Sequence, residues 1–449
     1  MNRKNYISLI FALSVLIVFY FIPTPPGLSY AGKMMIGVLI FGAILFVTEA
    51  IPLGMAGLTV MIVPVILGIT DSTTVFHLFG NKAVFFLIGA FIIAAGFQKS
   101  GLHKRLAVKI INRFGDRPSK YLFGIIVIGA SLSLVMSQHG VVALLLPIVA
   151  YSLMYTPPNS NIRKGGMIAL TYGCSVGSIG TLLGCGRNPY TVAFLQQTAG
   201  INITFTQWVL LALPVVLIMI PLTWFWITRI FPPEKNIKIR APPVEKKISK
   251  SELKVAVILI ITIIVLVFGR DFDVAVVVIG GAIAMFISGV LEWKDVERTI
   301  PWGVILLYGG AITISEGLQS TGASLWIASN LVNIIGKNPQ VVLFIMIVTT
   351  MLLTEFMSNT AAVALMLPIG AGLASVIPGL NIVVVSVAIA LSGGFAFLFI
   401  IGTPGNLITY TTGFYKTKDL FKVGVFMFVS GVVVIYGVAN TLWHLMGVW

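Results

Sequence analysis

The sequence predicts an all-α polytopic membrane protein with about eleven transmembrane helices and two re-entrant hairpins, arranged in two repeats of inverted topology. Three observations support this fold class. Hydrophobic residues make up 58% of the 449 residues and charged residues only 10%, a composition that excludes a soluble protein. Two long apolar segments, 118–153 and 339–373, are each interrupted at the centre by a short polar stretch. The two halves of the chain also share residues at a constant spacing of 221 positions.

Apolar stretches long enough to cross a hydrocarbon core of about 30 Å define the spans. We place them near 6–22, 33–51, 53–70, 82–98, 165–196, 206–228, 253–269, 273–290, 302–318, 381–412 and 419–446. The two interrupted segments are each long enough for two half-membrane helices, so we expect hairpins that enter and leave on one side. The predicted units are an N-terminal span (1–32), a first repeat (33–229, with hairpin 118–153 and broken span 165–196), a cytoplasmic linker (230–252) and a second repeat (253–449, with hairpin 339–373 and broken span 381–412).

The distribution of basic residues predicts the orientation. The predicted inner segments 1–5, 98–120, 154–165, 229–254 and 291–301 hold 21 of the 29 lysines and arginines. This asymmetry places the N-terminus in the cytoplasm and the C-terminus outside, in the cell (inner or plasma) membrane. It also explains the net charge of +15 without a nucleic-acid partner. Within 98–117, basic and apolar residues alternate in a pattern typical of an amphipathic helix lying on the inner membrane surface.

The repeat relates the two polar interruptions to each other. Ser137 corresponds to Ser358 and Pro147 to Pro368, each pair 221 residues apart. In the predicted topology, the chain crosses the membrane five times from Gly96 to its counterpart, Gly317. An odd number of crossings inverts the second copy relative to the first. Inverted repeats with broken helices and a site at the membrane midplane are the recurring plan of secondary transporters.

Each half also contains a span rich in glycine and proline, 180–189 and 401–406, where the helix should break. Freed carbonyl groups at such breaks can bind a cation, and the N-termini of the following half-helices favour an anion. Hydroxyl pairs spaced by four residues stand before each hairpin tip, and we expect each pair to share one helical face. The candidate cation ligands are Thr354, Ser358, Asn359 and the carbonyl near Gly402 in the second half, and Ser133, Ser137, Gln138 and the carbonyl near Gly184 in the first.

Four motifs resemble those of the divalent anion:sodium symporters, the sodium–carboxylate/sulfate cotransporter family. They are Ser-Asn-Thr at 358–360, Gly-Thr-Pro-Gly-Asn at 402–406, Thr-Glu-Ala-Ile-Pro at 48–52 and Thr-Ile-Pro-Trp-Gly at 299–303. The resemblance extends from about residue 33 to the end. It implies a homodimer in the lipid bilayer, with a scaffold domain and a transport domain that moves as an elevator. It also implies one sodium ion at each hairpin tip and a small anionic substrate, a dicarboxylate, citrate or sulfate, between the tips.

The resemblance further implies which residues face the substrate. By carry-over these are Gln138, His139, Cys185, Asn359, Thr360, Thr403 and Pro404. The same carry-over assigns the two sodium sites to the candidate cation ligands named above.

The first half departs from the family pattern, and this puts the first sodium site in question. Its tip reads Ser-Gln-His where the family has Ser-Asn-Thr, and its break reads Gly-Cys-Gly-Arg-Asn where the family has Gly-Thr-Pro-Pro-Asn. A charge at membrane depth costs roughly 2.5–3.5 kcal/mol, so Arg187 needs a partner or a role. We expect it to contact the substrate or, alternatively, to pair with a carbonyl or with Glu49. His139 can act as a neutral hydrogen-bonding group or can titrate. Our hypothesis is that Arg187 supplies the positive charge that a sodium ion supplies in relatives.

Other functions stay open at this point. The protein could be a sodium-independent anion exchanger, or a proton-coupled carrier through Glu355 or Glu316. A cation/proton antiporter or an arsenite-type carrier should have acidic residues at the midplane, whereas both tips here are neutral or basic. An intramembrane enzyme could use His139 and Cys185, but a third orienting group is missing from the pattern.

Overall fold

The structure is a computed structural model that describes residues 3–114, 117–234, 237, 239, 247–269 and 272–448. Helices and turns account for all regular structure in this part of the chain, which confirms the all-α prediction. The first half forms α1 (Arg3–Phe21), α2 (Tyr30–Thr48), α3 (Leu53–Ile66), α4 (Ser72–Phe79), α5 (Lys82–Ser100), α6 (Leu102–Phe114), α7 (Pro118–Ser133), α8 (Gln138–Met154), α9 (Asn161–Ser178), α10 (Arg187–Ala199) and α11 (Phe205–Ile230).

The second half continues with α12 (Lys250–Phe268), α13 (Val274–Ile287), α14 (Trp293–Thr299), α15 (Trp302–Ser320), α16 (Ala323–Ile335), α17 (Pro339–Leu353), α18 (Asn359–Val376), α19 (Ile382–Ser392), α20 (Pro404–Tyr410), α21 (Thr417–Asn440) and α22 (Leu442–Leu445). A single 3-10 turn, Ile400–Gly402, lies between α19 and α20.

Helix positions in the two halves follow the spacing seen in the sequence. The first residues of α6, α7, α8 and α9 and those of α16, α17, α18 and α19 lie 221 residues apart. The same spacing relates both ends of α3 to both ends of α13. The correspondence stops at the breaks, because α9 has 18 residues and α19 only 11.

Each predicted span coincides with one helix or with a broken pair, but the lengths differ. Six described segments are long and apolar enough to cross a membrane alone, and the pair α16 and α17, bent by 107°, is a possible seventh. Helices α3 and α13 have 14 residues each, about 21 Å, and are shorter than the predicted spans 53–70 and 273–290. Gly68 and Gly289 follow them with φ of 67° and 69°, a left-handed conformation that ends a helix.

Small residues let two helix pairs pack backbone against backbone. A Cβ added at Gly310 on α15 would lie 2.4 Å from the carbonyl oxygen of Gly57 on α3. A Cβ at Gly177 on α9 would lie 2.1 Å from the carbonyl oxygen of Ala130 on α7. Close approach of this kind is typical of helix packing in membranes. It joins α3 to α15 and the first hairpin to the first broken span.

The connecting segments differ from prediction in detail. The amphipathic helix expected over 98–117 is α6, and residues 98–100 belong to α5 instead. Residues 115 and 116 lie outside the described residues, as do 235, 236, 238 and 240–246 of the predicted linker. The described Glu234 accepts hydrogen bonds from the backbone N–H groups of Asn161 and Ile162, at 2.7 and 3.3 Å, and so caps the start of α9.

Candidate functional site

The two hairpin tips are short turns between helices. Helix α7 ends at Ser133 and α8 begins after Ser137, while α17 ends before Thr354 and α18 begins after Ser358. The expectation that each hydroxyl pair shares one helical face is therefore wrong, since the helix stops between the two members. Ser358 instead occupies the N-cap of α18, where its hydroxyl accepts the backbone N–H of Ala361 at 3.3 Å.

The buried carboxylate of Glu355 connects the second break, the irregular chain between α19 and α20, to the second tip, the turn between α17 and α18. Glu355 follows Thr354 directly and has no solvent-exposed surface. Its two oxygens accept the backbone N–H groups of Leu398, at 2.8 Å, and Phe399, at 3.0 Å. A Cβ added at Gly402 would lie 2.6 Å from Glu355 Oε2, so only glycine fits there without a shift. The irregular chain between α19 and α20 is thus positioned by this side chain.

The second set of candidate cation ligands lies around the second tip, but its members have different partners. The Thr354 hydroxyl donates to the carbonyl of Gly393 at 3.1 Å, and both groups are buried. The Asn359 side chain is buried too, and its Nδ2 has no hydrogen-bond partner among the described residues. Gly402 lies against Glu355, and no hydrogen bond in the described part of the chain joins it to Thr354. The Thr354 hydroxyl is thus paired with the carbonyl of Gly393 and not with that of Gly402.

The first tip meets the second break at one hydroxyl. Gln138 Nε2 donates to Thr403 Oγ1 at 3.2 Å, and His139 Nδ1 lies 3.4 Å from the same oxygen. Thr403 is buried and directly precedes α20. The fold therefore brings three of the predicted substrate-binding residues, from opposite halves of the chain, into contact.

The remaining predicted substrate residues differ in burial. Thr360 and Cys185 are half-buried, whereas Pro404, the first residue of α20, is exposed.

Arg187 is held inside the protein between the ends of two helices. Only 2% of the residue is exposed. Its Nη2 donates to the Ser178 hydroxyl at 2.9 Å and its Nε donates to the carbonyl of Ala390 at 3.2 Å. Ser178 ends α9 and Ala390 lies in the last turn of α19, so the guanidinium stands at the negative ends of two helices. Of the two pairings considered from the sequence, the structure has the carbonyl, while Glu49 is exposed.

One hydroxyl connects Arg187 to the first tip. The Ser178 hydroxyl lies 3.0 Å from Gln138 Oε1 and 2.8 Å from the carbonyl of Ser175, and its single proton serves these two acceptors. The sequence did not single out Ser178, because it stands in a helix without a polar motif.

The first set of candidate cation ligands surrounds this connection. The Ser133 hydroxyl is buried and has no hydrogen-bond partner among the described residues. A Cβ added at Gly184 would lie 2.6 Å from the Ser133 carbonyl oxygen and 2.4 Å from that of Ser178. Together with Gln138, these residues place the positive charge of Arg187 next to the predicted first sodium site.

Two asparagines that the site prediction omitted hold the broken backbones. Asn188 Nδ2 donates to the carbonyl of Thr181 at 2.6 Å, within the first break. Asn406 Nδ2 donates to the carbonyls of Ala396 and Phe399 at 3.1 and 3.0 Å, within the second. Each asparagine is the last residue of its motif, and this matched position is the signal that could have identified both. They satisfy carbonyl groups that a helix break would otherwise leave unpaired.

Comparison with known families identifies the family of this chain. The family model described as the sodium:sulfate symporter transmembrane region matches residues 3–449. The chain belongs to this family. The predicted membership of the divalent anion:sodium symporters is thereby confirmed, and the chain is a multi-pass membrane transporter and not an enzyme.

Curated relatives of this sodium:sulfate symporter family member include two staphylococcal proteins. The sodium-dependent dicarboxylate transporter SdcS of Staphylococcus saprophyticus is 28% identical over 464 residues, which cover 95% of this chain and 88% of the relative. The SdcS protein of Staphylococcus aureus strain USA300 is 26% identical, with 94% and 88% covered.

Two solved structures share the fold. The YdaH transporter of Alcanivorax borkumensis superposes with a TM-score of 0.62 at 14% identity, covering 99% of both chains. The MtrF protein of Neisseria gonorrhoeae, described as one of a class of antimetabolite efflux pumps, superposes with a TM-score of 0.57 at 13% identity, covering 97% of this chain and 95% of MtrF. At these identities the likeness extends to the fold alone.

Proposed function

We propose that this protein carries a small divalent anion across the membrane together with sodium. The substrate is a C4-dicarboxylate such as succinate or malate, or else citrate or sulfate. The names of the SdcS relatives support a dicarboxylate and sodium coupling, and the family description supports sulfate. Gln138 and His139 at the first tip, with Arg187 behind them, favour an anion because they offer hydrogen-bond donors and positive charge.

The proposed mechanism is an elevator in a homodimer, with the two halves as inverted repeats. The constant spacing of the helices supports the repeat. The close packing of α3 on α15, and of α7 on α9, supports two bodies that each move as a unit. We assign α1–α5 and α12–α15 to the scaffold, and the hairpins, the broken spans, α11 and α21 to the transport domain. Helices α6 and α16 connect the two bodies, and the N-terminus is cytoplasmic.

The substrate is placed where Gln138, His139 and Thr403 converge. We assign Asn359 and Thr360 of the second tip, and Cys185 and Pro404 of the two breaks, to the same site. The Asn359 Nδ2 donor has no partner among the described residues, and an anion oxygen would satisfy it. Arg187 lies one hydroxyl behind Gln138, so it acts on the substrate through charge rather than by direct contact.

The single observation that carries the ion assignment is the hydrogen-bonded path from Arg187 through Ser178 to Gln138. We place one sodium ion at the second tip, near Thr354, Ser358, Asn359 and the carbonyl of Gly393, with Gly402 nearby. At the first tip, around Ser133, Ser137, Gln138 and Gly184, the guanidinium takes the place of the second ion. One bound sodium ion and one fixed positive charge together balance a dianion.

The experiment is uptake of labelled succinate, malate, citrate and sulfate into proteoliposomes across a series of sodium gradients. The proposal expects a hyperbolic dependence on sodium, with one ion per turnover. A sodium Hill coefficient of two or more would show that a second ion binds, and the role given to Arg187 would be wrong. Arg187→Gln should weaken binding of every anion by a similar factor, and the matched variant Arg163→Gln, at the start of α9 and away from the tips, should leave anion binding unchanged.

A sodium-independent exchanger is the second candidate, and the same buried arginine favours it. Liposomes preloaded with unlabelled substrate and held without sodium distinguish the two functions. Uptake that requires an anion inside the liposomes and does not depend on sodium supports exchange. Uptake that is driven by an imposed proton gradient supports a proton-coupled carrier.

A further inference from the structure

Helix α6 presents a basic surface that the proposed transport function does not use. The surface continues past the end of the helix: its residues are Lys104, Lys109 and Arg113 on α6, Arg117 directly before α7, and Lys120 in the first turn of α7, and all five are exposed. None forms an ion pair with another described residue. Helix α6 itself contains no acidic residue. We call these five residues the α6 basic surface.

One side of α6 is fixed to the protein. His103, Ala107, Val108 and Ile111 are buried there. The helix packs on α7, α8 and α5. Lys109 and Arg113 lie on the side of α6 away from these four residues, while Lys104 is exposed at the start of the helix, next to the buried His103.

A tryptophan close to the end of α6 supports a place for this helix at the membrane–water interface. Phe114, the last residue of α6, packs edge-on against Phe123, with ring centroids 6.1 Å apart, and Phe123 packs in the same way against Trp224. Trp224 Nε1 donates to the carbonyl of Ser119 at 3.0 Å. Partly polar aromatic residues collect at the headgroup level of bilayers. Leu106 is also exposed beside the basic residues, as in helices that lie in the interface plane.

Helix α6 connects α5 to the first hairpin. It follows α5 directly and leads into the first hairpin. Arg105 Nε donates to Glu252 Oε1 at 2.8 Å and its Nη2 donates to Glu252 Oε2 at 2.9 Å, which ties α6 to α12. A ligand on the exposed side of α6 would therefore act on the junction between α12 and the hairpin.

The corresponding helix in the second half shows that the fold does not require these charges. Helix α16 starts 221 residues after α6 and has the same length of 13 residues, but it contains no charged residue. Its exposed residues include Leu325 and Ile334. The two helices occupy matching places in the repeat, so the fold alone does not explain the basic residues of α6. We therefore attribute them to an interaction with the surroundings of the protein on that side.

We infer that the α6 basic surface binds the headgroups of anionic phospholipids and that these lipids hold α6 at the interface. The charge of the surface is opposite to that of such headgroups, and its position at the headgroup level places the two in reach. Each basic residue near an anionic bilayer strengthens binding, and the attraction is screened by salt. Anionic lipid should therefore stabilise the transporter and support its transport cycle in a salt-dependent manner.

The experiment compares the full chain in nanodiscs of phosphatidylcholine with nanodiscs that also contain phosphatidylglycerol, at low and high salt. The variant is Lys104→Gln, Lys109→Gln and Arg113→Gln combined. The matched control removes three exposed positive charges elsewhere, by Lys294→Gln, Lys418→Gln and Lys422→Gln combined. The wild-type protein and the control should show a higher Tm with phosphatidylglycerol at low salt, and the α6 variant should lose more than half of this increase.

Folding of each variant is checked by gel filtration and by its Tm in phosphatidylcholine alone, where the three proteins should agree. Phosphatidylglycerol in the liposomes should raise the uptake rate of the wild-type protein and of the control. It should leave the uptake rate of the α6 variant unchanged. The inference is overturned if the α6 variant keeps the full increase in Tm, or if the control loses as much. It is also overturned if a soluble polyanion such as heparin, added to neutral nanodiscs, reproduces the increase, since the surface would then serve a soluble partner.

Discussion

Replacing Glu355 by glutamine should weaken sodium binding at the second tip. The carboxylate accepts two backbone N–H groups, from Leu398 and Phe399, at 2.8 and 3.0 Å. Hydrogen bonds to a charged group each contribute about 1.5–3 kcal/mol, and a buried donor left without an acceptor costs about 1–3 kcal/mol. A glutamine keeps one acceptor oxygen but presents its NH₂ group to the other N–H. The expected cost is therefore about 2–4 kcal/mol, localised in the chain between α19 and α20.

This cost should be seen as a loss of sodium affinity because the displaced chain leads to Thr403 and contacts the second tip. A change of about 1.4 kcal/mol in binding corresponds to a tenfold change in affinity. We expect the sodium concentration for half-maximal succinate uptake to rise at least tenfold, with a smaller fall in the maximal rate. The assay is initial uptake into proteoliposomes, together with the sodium-induced shift in Tm of the purified protein.

The matched control is Glu316→Gln on α15. Glu316 is half-buried, and its side chain makes no hydrogen bond to a described residue. The substitution removes the same charge without releasing any backbone N–H group, so sodium dependence should stay as in the wild type. The reasoning fails if Glu355→Gln leaves the sodium dependence unchanged, or if Glu316→Gln alters it equally.

Two further predictions concern packing and capping. Gly184→Ala should abolish uptake and lower the Tm, because its Cβ would lie 2.6 Å from the Ser133 carbonyl oxygen, whereas Gly140→Ala at the first tip meets no atom closer than 3.4 Å and should fold normally. Equal Tm values for the two variants would contradict this. Lys33→Met should destabilise the protein by about 1–3 kcal/mol, because the buried ammonium donates to the Ile22 carbonyl at 2.7 Å after the end of α1. Thermal unfolding measures the effect, and an unchanged Tm would show that α1 needs no such cap.

The positions of the hairpins and breaks could be predicted from the sequence because their residues conflict with their surroundings. Polar groups inside an apolar segment, and glycine with proline inside a span, are costly unless the helix is interrupted there. The predicted hairpin 339–373 and the observed α17 and α18, Pro339–Val376, agree within three residues. Helix α16 was not predicted, because it lacks the charged residues by which α6 could be recognised. Adding 221 to the positions of α6 would have located it.

The shape of the tips could not be predicted from spacing alone. Residues four apart lie on one face only while the helix continues, and the chain turns between Thr354 and Ser358. Contacts between distant segments were also beyond the sequence. The link from Arg187 through Ser178 to Gln138 depends on the end of α9 meeting the start of α8, and no local pattern encodes that meeting.

The burial of Arg187 has a consequence for how the carrier responds to membrane voltage. A sodium ion leaves the protein with its substrate, but a guanidinium is part of the chain and stays. Consider a relative that binds two sodium ions and has no such arginine. In the proposed elevator, the empty form of this carrier is one charge more positive than the empty form of that relative. Moving this charge outward against a potential of about −100 mV, negative inside, costs about 2.3 kcal/mol. The empty return step then becomes the voltage-sensitive part of the cycle, and a dianion loaded from the inside removes this barrier.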